Sequence, residues 1–248
     1  MDLGLRGRTF LVTGASRGLG LACAEALVGE GAQVVLSARD PAAVRAAADR
    51  LGATGVVADQ ADPAAAGRLV RTALDAYGRL DGALVSVGGP PMGSALGLSD
   101  AQWQDAFDAV FLGTVRLCRA VVGALPAEGG SLALVLSTSV KTPVAGLAAS
   151  NGLRPGLGML AKTLADELGP RGVRVNGLLP GRIKTDRIRA LDAGRDAADL
   201  AARARDIPLG RDGEPAEFGR VAAFLLSPAA SYVTGAMVPV DGGSLRAL

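Results

Sequence analysis

The stretch that decides the fold is Thr9-Phe10-Leu11-Val12-Thr13-Gly14-Ala15-Ser16-Arg17-Gly18-Leu19-Gly20. It begins as an apolar run, passes into a glycine-rich turn, and leads into a helix-forming segment over 19–28. The three glycines let the backbone turn tightly and approach a ligand without interference from a Cβ atom. The N-terminus of the following helix offers free N–H groups and a positive dipole end to a phosphate. The pattern predicts a dinucleotide-binding turn; the alternative is an ordinary strand-to-helix turn of an α/β protein.

The composition is typical of a compact globular protein, and it does not indicate a strongly charged partner. The 248 residues suit one large domain with a sizeable core, and we predict a single domain over 1–248. Basic and acidic residues number 26 and 24, a net charge of +2, so neither nucleic acid nor an anionic membrane is implied as a partner.

Two residue counts exclude whole classes of chemistry. The chain has no histidine, which excludes Ser-His-Asp and Cys-His catalysis and every His-ligated metal site. Its two cysteines, Cys23 and Cys118, are too few for a structural zinc site, so we expect no metal. We expect both thiols to be buried and reduced, and with no apolar leader or membrane-length segment we expect a cytoplasmic protein.

Apolar runs alternate with helical patterns along the chain. The candidate strands are Thr9–Thr13, Gln33–Ala38, Gly55–Ala58, Gly82–Val87, Ser131–Ser137, Arg174–Leu179 and Met237–Val240. The candidate helices are Leu19–Val28, Pro41–Leu51 with Asp40 as its N-cap, Pro63–Tyr77, Asp100–Leu125, roughly Pro155–Leu168, and Pro215–Leu226. Short, continuously apolar strands predict a parallel sheet buried on both faces, and repeated strand–helix units predict a doubly wound α/β fold.

The segment 180–213 carries no strand pattern, and its position predicts a lid or substrate loop. Its arginines are Arg182, Arg187, Arg189, Arg195, Arg203, Arg205 and Arg211, which suggests an anionic substrate. Six aspartates interleave with these arginines, however, and we favour the alternative of solvated helix faces with paired charges.

These features together resemble the short-chain dehydrogenase/reductase family over the whole chain. The matching marks are the turn over 13–20, Asp59, Ser139, Asn176, Pro180-Gly181, Thr185 and the closing Asp241-Gly242-Gly243. The resemblance implies a Rossmann-type, seven-stranded parallel sheet, a nicotinamide cofactor, hydride transfer to or from a carbonyl or alcohol, and a homodimer or homotetramer. It assigns the cofactor site to Gly14, Ser16, Arg17, Gly18, Leu19, Gly20, Arg39, Asp59, Gly88, Pro180, Gly181, Ile183 and Thr185.

The end of the second strand indicates which nicotinamide cofactor is preferred. Family members that prefer NAD place an acid there, but this chain has Ala38. Arg39 follows it and Arg17 lies in the glycine turn, and two guanidinium groups suit the 2′-phosphate of NADP(H). We therefore predict NADP(H) in preference to NAD(H); the alternative for Arg39 is a surface residue before a helix. Asp59 resembles the adenine-binding acid of the family.

The proton-transfer residues of the family are changed in this chain. Counting back from Lys162-Thr163-Leu164-Ala165 places the expected tyrosine and lysine, one helical turn apart, at Asn151 and Pro155. Val110 stands where the resemblance places the asparagine of the proton relay, and the motif after the fourth strand reads Ser86-Val87-Gly88-Gly89. The catalytic serine is retained as Ser139.

Three residues are candidates to replace the missing pair. Lys141 lies two residues past Ser139 and is a candidate proton donor, because partial burial lowers the pKa of a lysine; the alternative is an ordinary loop lysine. Arg154 is placed to hold a ribose or a phosphate, although it is a poor proton donor. Asn151 either holds a catalytic water or, together with Arg154, caps or precedes a helix that begins at Pro155.

The leading functional hypothesis is an NADP(H)-dependent oxidoreductase acting on a small carbonyl or alcohol substrate, such as a 3-oxoacyl thioester, with an altered proton-transfer site. The alternative is a non-catalytic dinucleotide-binding or sensor protein, and a different reaction on the same scaffold is a third class. We also expect a homo-oligomer, because Val110, Leu117 and Val121 of the helix over 100–125 are predicted to form an exposed apolar face.

Overall fold

A computed structural model describes residues 2–247 and contains, within that range, one sheet of seven parallel strands in the order β3-β2-β1-β4-β5-β6-β7. The strands are β1 Thr9–Thr13, β2 Gln33–Ala38, β3 Thr54–Val57, β4 Gly82–Val85, β5 Gly130–Val135, β6 Val173–Pro180 and β7 Met237–Val240. The prediction of a doubly wound, Rossmann-type α/β sheet is confirmed, and strand ends differ from those predicted by at most two residues.

Helices connect the strands and lie on both faces of the sheet. They are α1 Gly18–Gly29, α2 Pro41–Leu51, α3 Ala65–Tyr77, α4 Asp100–Ala106, α5 Gly113–Val122, α6 Ala148–Leu168, α7 Asp186–Asp192, α8 Ala197–Arg205 and α9 Pro215–Leu226. The predicted N-cap of α2 is present, since the Asp40 carboxylate accepts from the N–H groups of Ala42 and Ala43. None of the helices over residues 2–247 is long and apolar enough to span a bilayer.

Two apolar layers cover the two faces of the sheet. One layer packs α3, α5 and α6 against the strands, with Leu69, Leu117 and Leu157 fully buried. The other packs α1, α2 and α9 against the opposite face, with Leu27 and Phe218 fully buried. Strands covered on both sides explain the continuous apolar runs in the sequence.

The predicted start of the sixth helix is wrong. Helix α6 begins at Ala148, and Pro155 lies inside it rather than at its first turn. Proline lacks an N–H, so the carbonyl of Asn151 loses its helical partner. The helix nevertheless continues, because Leu157, Ala161 and other residues beyond the proline are buried in the core; packing outweighs the local cost of the proline.

The long helix predicted over 100–125 is interrupted. A π-helical segment, Phe107–Leu112, joins α4 to α5. The predicted exposed face is also wrong: Val110, Leu117 and Val121 are fully buried within this chain. The same apolar spacing fits an oligomer interface or the face that covers the sheet, and here it covers the sheet. These three residues therefore do not support a homo-oligomer.

Both thiols should be unreactive while the protein is folded. Cys23 and Cys118 are buried, which raises the pKa of Cys118 to about 12 and also raises that of Cys23. The thiolate is the reactive form, so at pH 8 we expect no reaction of the native protein with a disulfide reagent. Both cysteines should react once the protein is unfolded in guanidinium. Rapid labelling of the native protein would contradict the burial of these residues.

Candidate functional site

The direction in which the strand order grows reverses between β1 and β4, in the middle of the sheet. β1 and β4 are neighbours, and the connections that follow them cross opposite faces of the sheet. Open α/β sheets bind their ligands at such a point, outside the carboxyl ends of the strands. Thr13, at the end of β1, holds the two strands together there: its hydroxyl donates to Ser86 O at 2.8 Å and accepts from Ser86 N at 2.9 Å. The turn after β1 is thus anchored to the loop after β4.

The glycine turn after β1 has no room for side chains. Gly14 and Gly18 have φ values of +59° and +58°, in the left-handed region that favours glycine. A Cβ at Gly14 would lie 2.7 Å from Ser86 O, and a Cβ at Gly20 would overlap the carbonyl of Gly14. The glycines are required by this backbone path, and they leave a bare cradle beside the start of α1.

The start of α1 is suited to bind an anion. Arg17 occupies the N-cap position in an extended conformation, and within residues 2–247 no side chain caps this helix and no acid lies in its first turn. The free N–H groups and the helix dipole therefore face the cradle without a competing protein acceptor. Ser16 and Leu19 flank this position and are half-buried. The cradle and the helix start fit the pyrophosphate of a dinucleotide.

The loop after β6 lies across the glycine turn. A Cβ at Gly18 would contact the Thr185 methyl at 3.6 Å, so these two predicted cofactor residues face each other. Gly181 packs against Asp241, and its N–H donates to Val240 O at 3.0 Å, which fixes the direction of the chain after Pro180. The side chain of Ile183 is buried against Gly213, leaving its backbone as the part available to a ligand.

The remaining predicted cofactor residues are exposed. Arg39 is exposed directly after β2, and within the described part of the chain no carboxylate pairs with it. Arg17 is exposed and lies 3.8 Å from Asp186, a pair that solvent screens strongly. Asp59 is exposed and accepts from Ala61 N at 3.0 Å. Gly88 is exposed in the loop after β4.

Two buried serines form a hydroxyl pair after β5, the strand next to β4. Ser139 follows β5 in a short 3-10 turn, Thr138–Val140, and Ser150 lies in the first turn of α6. Their Oγ atoms are 3.2 Å apart, and the residues are only 4% and 3% exposed. Ser137 orients the turn, since its Oγ accepts from Ser139 N at 3.0 Å. The arrangement presents two hydroxyls to one small region.

A buried guanidinium lies one helical turn beyond Ser150. Arg154 is 6% exposed, and its Nη1 donates to the carbonyl of Val135, at the end of β5, at 2.7 Å. No carboxylate of residues 2–247 pairs with it. Burial lowers the pKa of Arg154 to about 10, and the charge of Arg187 adds to the shift. The group remains protonated at neutral pH, so the site carries a fixed, uncompensated positive charge.

We predicted that positions 151 and 155 of α6 lie at the site. The buried polar residues of this helix are instead Ser150, whose Oγ contacts that of Ser139, and Arg154. Successive side chains of an α-helix are about 100° apart around its axis, so a sequence position that is miscounted by one residue lies on a different face of the helix.

Of the three residues proposed to replace the missing pair, Asn151 has a structural role and Lys141 lies on the surface. The Asn151 amide accepts from Val144 N at 3.0 Å and donates to Val144 O at 2.9 Å, so it orders the loop before α6. Lys141 is exposed, in agreement with the alternative of an ordinary loop lysine.

The sequence analysis missed two residues of this site. Ser150 was masked by the miscounted register, although its spacing of four from Arg154 is the pattern of one helix face. Arg187 was grouped with the other arginines of its loop, yet its guanidinium lies against Gly89, in the loop after β4. No local sequence pattern predicts that contact, because it joins segments nearly a hundred positions apart.

Comparisons with known proteins agree with the fold. A family model described as enoyl-(acyl carrier protein) reductase matches residues 14–244. The 3-oxoacyl-(acyl-carrier-protein) reductase FabG of Salmonella typhimurium is 33% identical over 244 residues, covering 97% of this chain and 98% of that protein. The human dehydrogenase/reductase SDR family member 4 is 34% identical over 97% of this chain and 88% of its own length. L-sorbose reductase of Gluconobacter frateurii, solved with NADPH and L-sorbose, superposes with a TM-score of 0.92 at 30% identity over the full length of both chains.

Proposed function

The chain belongs to the short-chain dehydrogenase/reductase family, and from that premise we propose that it is an NADPH-dependent oxidoreductase that interconverts a ketone and an alcohol. The observation that carries the proposal is the buried Ser139–Ser150 hydroxyl pair, with the Arg154 cation one helical turn from Ser150. A carbonyl oxygen needs donors and positive charge as it becomes an alkoxide, and this region supplies both.

The cradle residues would hold the cofactor. The N–H groups at the start of α1 would bind the pyrophosphate, while Arg39 and Arg17 would bind the 2′-phosphate. NADPH supplies the hydride when bound. The loop carrying Ile183 and Thr185 would cover the nicotinamide side, in keeping with the proposed lid over 180–213.

The protein's own groups would manage the charge on the substrate oxygen. Ser139 and Ser150 are close enough for both hydroxyls to donate to one carbonyl oxygen. Arg154, which is held in place by Val135 O, would stabilise the negative charge that develops there. Ser150 would pass its proton to the alkoxide and regain one from solvent. The Arg154 cation favours this transfer because it stabilises the transient serine alkoxide.

Turnover assays test the proposal directly. The purified protein is incubated with NADPH and a panel of ketones that includes a 3-oxoacyl thioester and a ketose, and alcohol formation is measured by mass spectrometry. We expect reduction of at least one ketone with one NADPH consumed per alcohol formed. Tight binding of NADPH without reduction of any member of the panel would instead favour the non-catalytic alternative.

One observation favours that alternative function, a dinucleotide-binding sensor. The usual proton donor of the family is the phenol of a tyrosine, and neither tyrosine of this chain lies at the site. The hydroxyl of Tyr77 lies 3.0 Å from that of Thr54, between α3 and β3, and Tyr232 is fully exposed. A serine is a weaker proton donor than a phenol, so the chemistry of this site depends on Arg154.

Arg39 should decide the cofactor preference. Its guanidinium is exposed after β2 with no carboxylate partner among the described residues, so Arg39→Ala should weaken NADPH binding by about 10- to 100-fold through loss of charged hydrogen bonds. NADH binding should change little, because NADH lacks the 2′-phosphate. Titration calorimetry with both cofactors measures the effect, and Arg45→Ala on α2 is the control. Equal wild-type affinities for NADPH and NADH would contradict the assignment.

The oligomeric state and the cellular location of this protein remain predictions. We propose a homodimer or homotetramer from the family alone, since Val110, Leu117 and Val121 are buried within the chain and form no exposed apolar face. We propose one domain over 1–248, a small-molecule substrate and a cytoplasmic location.

A further inference from the structure

The first turn of α6, which carries Ser150, begins without a side-chain cap. Leu147 occupies the N-cap position, and its apolar side chain cannot accept a hydrogen bond from the first N–H groups of the helix. A polar residue at that position normally satisfies one of these groups and stabilises the helix start. The position of Ser150 therefore depends on contacts with residues that precede the helix.

Pro155 weakens the connection between this first turn and the rest of α6. Because proline has no N–H, the carbonyl of Asn151 lacks its helical partner. Beyond the proline the helix is held by the core, in which Leu157 and Ala161 are fully buried. The turn before it, with Ser150, relies more on the loops that it contacts.

The side chain of Asn151 supplies one of these contacts. Its amide oxygen accepts from Val144 N at 3.0 Å, and its amide nitrogen donates to Val144 O at 2.9 Å. Two bonds to one residue fix the direction of the amide as well as its distance, and we call this pair of bonds the Asn151 clamp. Asn151 directly follows Ser150, so the clamp ties the turn that carries the Ser150 hydroxyl to the preceding loop.

The loop after β4 supports the same turn. Ala148 N donates to Gly93 O at 3.3 Å, and Gly93 N donates to Gly146 O at 2.9 Å. A small apolar cluster joins this loop, α4 and the start of α6, and its members are Leu98, Trp103, Ala106, Ala148, Ala149 and Leu153. The bonds of Gly93 are made by backbone groups, whereas the clamp is made by a side chain. A substitution at Asn151 therefore removes one support and leaves the others in place.

Building on the proposed function, which gives Ser150 the role of proton donor, we infer that Asn151 is a positioning residue: its clamp on Val144 holds the Ser150 hydroxyl beside that of Ser139. Groups that act on one reacting atom have to be held to within about 0.5 Å, and a misplacement of about 1 Å costs about 100-fold in rate. The clamp lies at the start of α6, away from the glycine turn after β1, so it contributes to turnover and not to cofactor affinity.

A double-mutant cycle between Asn151 and Ser150 tests this inference. Asn151→Leu keeps the approximate size of the side chain and removes both bonds to Val144. For the ketone of the panel that the wild type reduces fastest, we expect kcat to fall by about 10- to 100-fold with the Kd for NADPH unchanged. In the Ser150→Ala background the same substitution should change kcat by less than about twofold, because the displaced hydroxyl is already absent.

Gln33→Leu is the matched control. It makes the same change of an amide to an apolar side chain and removes the bond that the Gln33 amide oxygen accepts from the Thr9 hydroxyl at 3.1 Å. Both residues lie at the starts of their strands, at the opposite end of the sheet from the serines, so kcat should be retained. Hydrogen exchange adds a direct readout, since Asn151→Leu should speed exchange of the Val144 N–H. If Asn151→Leu does not fold, Asn151→Asp, which keeps only the acceptor for Val144 N, replaces it in the cycle.

The outcomes separate this inference from the proposed function. If the folded Asn151 variant retains the wild-type kcat, or if its loss multiplies with that of Ser150→Ala, Asn151 does not act through Ser150 and the inference is overturned. Either result leaves the oxidoreductase proposal standing. If the wild type reduces no ketone, or if Ser150→Ala keeps full turnover, the proposed function fails first, and the inference, which rests on it, falls with it.

Discussion

Replacing Gly20 by alanine should weaken NADPH binding at least 100-fold, about 2.7 kcal/mol. A Cβ at this position would overlap the carbonyl oxygen of Gly14, which is backbone and cannot rotate away. The turn must therefore shift, and the shift moves the N–H groups at the start of α1 that would bind the pyrophosphate. Calorimetric titration with NADPH measures the loss, and thermal unfolding shows how much of the fold is retained.

Gly29→Ala is the matched control for this prediction. Gly29 ends the same helix, and nothing lies within 4 Å of the position that its Cβ would occupy. Alanine should be tolerated there, with NADPH affinity unchanged. If the two variants bind NADPH equally well, the glycine turn is not the cofactor cradle.

Replacing Ser139 by alanine should lower kcat for ketone reduction by about 10- to 1,000-fold, which corresponds to about 1.4–4 kcal/mol. The hydroxyl is buried and lies 3.2 Å from that of Ser150, so its removal takes one of two donors from the developing alkoxide. NADPH affinity should be retained, because Ser139 lies at the end of β5, away from the cradle after β1. Steady-state kinetics and NADPH titration together separate these two effects.

A double-mutant cycle with Ser150→Ala sharpens this test. If both hydroxyls act on one oxygen, the double variant should lose little more than the more damaging single variant, because effects of residues that act as a unit are not additive. Thr163→Ala is the control: it removes an exposed hydroxyl from the same helix, and that hydroxyl donates only to Met159 O. Full turnover in Ser139→Ala would show that the serine takes no part in the reaction.

The sequence alone determined the architecture of this protein, because that information is local. Each strand is a short apolar run, and each turn carries its own markers, such as the glycines at 14, 18 and 20 and the N-cap Asp40. Periodicity and turn chemistry depend on neighbouring residues, so they are visible without a structure. The exclusion of histidine chemistry likewise follows from composition alone, and the prediction that Ser139 belongs to the site rests on its place shortly after a recognisable strand.

Only the tertiary structure decided which side chains meet at the site. Whether Ser150 or Asn151 faces Ser139 depends on the rotation of α6 about its axis, and packing of the whole helix sets that rotation, although Pro155 suggests a later start. Burial of Val110 depends on which element covers its face. The contact of Arg187 with Gly89 joins two loops from distant parts of the chain. Such contacts result from the closure of long loops around a common core, so no local pattern records them.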